Sequence, residues 1–110
     1  MIKETISAIQ ARIRGAESLN DERRRELLKL LGTLENEVDE LSCTHNEQAQ
    51  SIAGFAQLSA HEAIRDTPHP QLLDLSLQGL RTSVDGFEKS HPQLVQIVNA
   101  ISNTLANLGI

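Results

Sequence analysis

The residues best suited to chemistry gather at one point of the chain and at its counterpart further on. Cys43, His45 and Glu47 lie close together, and His91 stands alone in a later apolar stretch. Cysteine and histidine are good zinc ligands. Yet helix neighbours that touch are three or four residues apart, so Cys43 and His45 would point in different directions. Glu88-x-x-His91 matches half of the carboxylate–histidine motif of di-iron bundles, whose second copy and remaining carboxylates are missing. His61-Glu62-Ala63-Ile64-Arg65 lacks the second histidine of a zinc-protease helix, and there is no glycine-rich phosphate loop. The sequence therefore assigns no catalytic residue and no cofactor, and the protein is not expected to be an enzyme. Cys43, His45 and His91 remain as metal candidates. The competing reading makes His45, Gln48 and His91 a buried polar layer that fixes helix register, the best-attested use of such groups in coiled coils. Two buried imidazoles would resist double protonation, which would make the fold acid-sensitive.

Arg23-Arg24-Arg25 is the one cationic run. Residues 1–30 hold seven Lys/Arg against five acids, whereas 31–62 hold six acids and no Lys/Arg. The run could bind an anionic ligand or membrane surface, or it could be a solvated helix face. In a helical hairpin it would lie beside the end of the last helix and the Ile110 carboxylate, where cations are favourable.

Composition narrows the class. The 110 residues are 39% hydrophobic but only 2% aromatic, so the core must be Leu, Ile, Val and Ala. That suits helix packing better than a sandwich of strands. A net charge of −5 argues against nonspecific nucleic-acid binding, and the shortage of aromatics removes base-stacking platforms. Cys43 is the single cysteine, so no disulfide can form within the chain. No apolar run approaches the ~18 residues of a membrane span. Met1-Ile2-Lys3-Glu4-Thr5 lacks the apolar core of a signal peptide, so the expected location is the cytoplasm.

The elements that would position these residues are read from periodicity. Leu73, Leu77, Leu80, Val84, Phe87, His91, Leu94, Val98, Ile101, Leu105 and Leu108 follow one another at alternate spacings of four and three. Leu27, Leu31, Leu34, Val38, Leu41, His45, Gln48, Ile52, Phe55, Ser59 and Glu62 keep the same rhythm. Such stripes ask for partner helices. Joined by Thr67-Pro68-His69-Pro70, which cannot continue a helix, they predict an all-α fold. It is a long antiparallel, coiled-coil-like hairpin of 21–66 against 70–108, with an N-terminal helix, assembling into a helical bundle. The expected helices are about 2–16, 21–66, 70–89 and 91–108, in a single domain spanning 1–110.

Asn20 reads as the N-cap of the second helix, with Asp21 and Glu22 in its first turn. Ser42-Cys43-Thr44-His45-Asn46 is that helix's weak point. Thr44 with Glu47 matches a capping box, so a kink or restart there is the alternative to a continuous helix. Ser90 and Gln93 match a second capping box around His91-Pro92, and the helices on either side are expected to be nearly collinear. A turn at 67–69 would set Leu41 against Leu94, His45 against His91, and Phe55 against Leu80, with Phe55 in the core.

Two faces of small residues accompany the stripes: Ala49, Ala53, Ala56 and Ala60, and Ser76, Gly79, Ser83 and Gly86. The first helix, with Ile2, Ile6, Ile9 and Ile13 on one face, would cover only the open end of the hairpin. The turn half would expose Ala53, Ala56, Ala60, Ile64, Leu72 and Leu75. Two helices cannot enclose an apolar seam, so the small faces are expected to join a second hairpin in a homodimer or higher even oligomer.

The segment Gly86-Phe87-Glu88-Lys89-Ser90-His91-Pro92-Gln93-Leu94, with the closing Leu108-Gly109-Ile110, resembles a C-terminal signature. It belongs to a family of short bacterial proteins of unknown function, with the pattern F-E-x-x-H-P-x-L, an apolar helix and a final L-G-I. Leu19-Asn20-Asp21-Glu22 before a Leu-rich helix looks similar too, while the middle, 43–70, is longer here. The resemblance implies no activity, cofactor or catalytic residue. The expected function is a non-enzymatic helical assembly or adaptor protein, acting through self-association or a helical partner. The alternative is a small-ligand or metal carrier using the layer around His45 and His91.

Overall fold

In a computed structural model, residues 2–108 are described, and they form five helices with no strand among them. The helices are α1 (Ile2–Gly15), α2 (Asp21–Ser42), α3 (Asn46–Ile64), α4 (Pro70–Thr82) and α5 (Pro92–Leu108). The all-α class and the bundle stand. The expected helix over 21–66 does not run through, because it stops at Ser42 and restarts at Asn46.

Local chemistry explains the break. The Ser42 hydroxyl donates to the Asp39 carbonyl at 2.6 Å, and the Thr44 hydroxyl donates to that of Leu41 at 3.4 Å. The His45 amide also closes on the Leu41 carbonyl, at 2.8 Å. The two hydroxyls compete for carbonyls of the last turn of α2, and the His45 amide makes its final i→i−4 bond. His45 takes φ −135° and ψ 62° and precedes α3 without a side-chain cap, so the Thr44–Glu47 box does not form as expected.

The other boundaries have equally local causes. Asn20 Oδ1 accepts from the Arg23 amide at 2.7 Å, as its type suggests. At α4, Pro70 sits in the first turn and His69 Nδ1 accepts from the Leu72 amide at 3.3 Å. α4 ends seven residues before the expected 89. The Ser83 hydroxyl turns back onto the Leu80 carbonyl at 2.6 Å, and Gly86 adopts φ +93°, which glycine reaches without strain. The Gly86 amide then donates to Glu88 Oε2 at 2.9 Å. Ser90 does not cap α5 as expected; its hydroxyl meets His91 Nδ1 at 2.9 Å.

The hairpin's partners are retained while its shape changes. α2 packs on α5, and α3 packs on α4. Thr104 Oγ1 bonds to Glu26 Oε1 at 3.2 Å at one end, and the His45 and His91 rings meet in the middle. But α2 also packs on α3, and α4 on α5. A straight helix over 21–66 would be about 69 Å long, whereas the longest dimension is 37 Å. The chain folds back on itself at 43–45 and again at 83–91. Consequently α4 and α5 lie against each other and are not collinear.

α1 departs from expectation in the same way. It packs on both α2 and α3, burying Ile6, Ile9 and Ile13. Folding back also rotates α3. Ala49, Ile52, Ala53, Ala56, Ser59 and Ala60 are buried, while Phe55, expected in the core, is 37% exposed. Its ring lies across Gly79, where an added Cβ would meet it.

Gly79→Ala is therefore expected to lower stability in the wild type. In a Phe55→Ala background it should raise stability by about 1 kcal/mol, the ordinary helix gain over glycine. Urea denaturation of the four proteins checks this; equal effects in both backgrounds would place the ring elsewhere.

Candidate functional site

The imidazoles come together as the register requires, but at the surface. The fold-back at 43–45 brings His45 beside the loop before α5, with the His45 and His91 ring centroids 6.3 Å apart. Both rings meet Phe87 edge-on, at 5.4 and 5.5 Å. Thr44 Oγ1 lies 2.7 Å from His45 Nδ1, as Ser90 Oγ does from His91 Nδ1 at 2.9 Å. His45 and Gln48 are exposed and His91 is half-buried. They are thus an exposed ring cluster, and the expected buried polar layer is corrected. The reason is the helix break, which turns His45 and Gln48 out of the α2 stripe. The acid sensitivity expected of buried imidazoles loses its premise with them. Cys43 is exposed too, its thiol 3.8 Å from the Asp39 carbonyl. Among the described residues no group of three or more His, Cys, Asp or Glu is placed to hold a metal ion.

The arginine run does not form a patch. Arg24 folds back over the end of α1, where Nε donates to the Ile13 carbonyl at 3.3 Å. Its Nη2 donates to the carbonyls of Ala16 and Leu19, at 2.7 and 2.9 Å. Its Nη1 pairs with Asp21 at 2.8 Å. The guanidinium fork closes the α1–α2 loop by satisfying carbonyls at a helix C-terminus, where positive charge is favoured. Arg25 Nε reaches the Asp21 carbonyl at 3.4 Å, and Arg23 contributes its amide to the Asn20 cap. The Arg24 and Arg25 side chains are thus committed to bonds within their own loop and helix. The expected neighbour Ile110 lies outside the described residues.

The small faces are not an exposed interface either. Ala49, Ala53, Ala56 and Ala60 are buried on α3, which packs against all four other helices, and Ser76 is buried as well. Gly79 underlies Phe55, Ser83 is half-buried, and exposed Gly86 serves the turn. Small residues were the right signal for close helix approach, but the approach is made within one chain.

What remains outside is a different surface. The exposed large hydrophobics among the described residues are Phe55 (37%), Leu58 (46%), Leu72 (41%) and Leu75 (61%). All four lie on the antiparallel pair α3/α4. Phe55 and Leu58 are three apart on α3, and so are Leu72 and Leu75 on α4, so each pair shares a helix flank. The Phe55–Gly79 contact joins the two flanks into one apolar face. At one end of it Glu62 is buried and paired with Arg65 at 2.9 Å, with His61 Nε2 3.9 Å away. Leu72 and Leu75 were legible as exposed. Leu58 was missed because it falls on neither stripe, and Phe55 because the stripe was carried through the break.

A family model described as a domain of unknown function (DUF4404) matches residues 2–110, and the chain belongs to that family. No curated protein and no solved structure matches it. No helix among the described residues is long and apolar enough to cross a membrane.

Arg24→Ala should cost about 1–3 kcal/mol, because the Leu19 carbonyl loses its donor and those of Ile13 and Ala16 keep only a backbone amide each. Arg24→Lys should recover only part of this, since one ammonium cannot reproduce the fork. Thermal melts with and without phosphate check both points. A phosphate-dependent rise in melting temperature that Arg24→Ala abolishes would restore the anion-site reading.

Proposed function

We propose that this protein is a non-enzymatic helical assembly or adaptor module that acts through the outer face of α3/α4. The observation that carries this reading is the collection of Phe55, Leu58, Leu72 and Leu75 on that one face. The other three helices bury their large apolar side chains by at least half. Exposed apolar patches of this kind mark interaction surfaces. A face built of two antiparallel helices suits a helical partner, which would complete a four-helix layer. The carrier alternative has only the His45–His91 pair to offer, and it lacks a third ligand among the described residues.

The test is the double substitution Leu72→Glu, Leu75→Glu. Both positions are exposed, so helicity and melting should change little. The wild type should run as an assembly by light scattering, or capture a partner in cross-linking from a lysate. The variant should do neither. Identical mass and identical captured proteins for the two would remove the reading.

A further inference from the structure

We propose that a second copy of this chain covers the α3/α4 face, with α3 pairing antiparallel to its twofold mate about a centre at Ala56. This rests on the reading of that face as an interaction surface and names its occupant. On the outward side of α3, Glu47, Ser51, Gly54, Leu58 and His61 follow one another at alternate spacings of four and three, Arg65 comes next at the extended C-cap, and none of them is buried. The stripe that α3 presents away from its own core thus has the rhythm of a helix–helix seam.

The series is also self-complementary. Antiparallel twofold pairing about residue 56 opposes 47 with 65, 51 with 61, and 54 with 58. Glu47 then meets the Arg65 end of the other copy, two acid–base contacts by symmetry. Glu47 has no ion-pair partner among the described residues of its own chain. Arg65 lies over Glu62, partly exposed. Ser51 meets His61, both polar. Leu58 meets Gly54, a large side chain over a residue with none. Gly54 otherwise weakens the middle of α3 by about 1 kcal/mol relative to alanine. Nothing in its own chain lies within 4 Å of an added Cβ, so no intramolecular packing asks for glycine there. A close-approaching helix does.

Symmetry of this kind is what an isologous interface requires, since the same patch must fit itself. An unrelated partner would have no reason to impose it. Area is consistent with a dimer. α3 is about 28 Å long and α4 about 20 Å, and adjacent helices lie about 9 Å apart, so the α3/α4 face is on the order of 400 Å² in projection. Side-chain relief brings this near the roughly 600 Å² per partner at the lower end of specific interfaces.

The experiment combines mass with register. Wild-type protein at about 100 µM should be dimeric by sedimentation equilibrium, and Leu58→Asp should weaken the dimer about 100-fold or more without loss of helicity. In a Cys43→Ser background, Gly54→Cys and Leu58→Cys variants should each give little disulfide-linked dimer when oxidised alone. Mixed and oxidised, they should cross-link, because only then do cysteines oppose one another within disulfide reach. A monomeric wild type at that concentration overturns the second-copy proposal. The interaction reading would survive that result if Leu72→Glu, Leu75→Glu still abolished capture of another protein. A dimer that mixing does not cross-link overturns the α3 register. The face itself would stand in that case if Leu72→Glu, Leu75→Glu gave monomer.

Discussion

An apolar seam between two helices is open on both sides, and closing it is the constraint on which the rest of this structure depends. Leu27, Leu31, Leu34, Val38 and Leu41 face the α5 residues Leu94, Val98, Ile101 and Leu105, and all are buried. A straight hairpin would leave both flanks of that seam in water. The chain instead breaks at Cys43-Thr44-His45 and lays the α3/α4 half back against α2 and α5. One helical hairpin thereby becomes a compact bundle with a Cα radius of gyration of 12.9 Å.

Folding back decides what α3 must be. Four other helices pack on this one helix, so its inner faces need small side chains to admit close neighbours. Ala49, Ala53, Ala56 and Ala60 supply them, and Ile52 fills the space that remains. The large residues Phe55 and Leu58 are displaced to the outer flank. There Gly79 accepts the Phe55 ring, and Leu58 is left half in water. The apolar surface is thus the other side of a close-packed interior. Buried Glu62 would be costly beside it without the Arg65 guanidinium, which keeps the carboxylate paired.

Much of the fold was legible because periodicity reports which residues face a partner. The α2 and α5 stripes, the turn at Thr67–Pro70, the Asn20 cap and the meeting of His45 with His91 all follow from spacing and residue type. The helical phase could not be carried across 43–45. Once His45 leaves helical geometry, the following helix is free to rotate, and that freedom moved Phe55 outward and the alanines inward. The imidazole cluster was placed correctly but in the wrong solvent environment, for the same reason. The role of Arg24 carried no sequence signal. A guanidinium that caps another helix is indistinguishable in sequence from its neighbours Arg23 and Arg25.

The hairpin is folded back and not extended. Small-angle X-ray scattering on the Leu58→Asp variant, at a concentration where sedimentation shows monomer, tests it most directly. The folded-back bundle has a Cα radius of gyration of 12.9 Å and a longest dimension of 37 Å, and scattering should return values only slightly larger for the hydrated chain. An extended hairpin about 69 Å long would give a radius of gyration near 20 Å and a rod-like distance distribution, and that result would contradict the account.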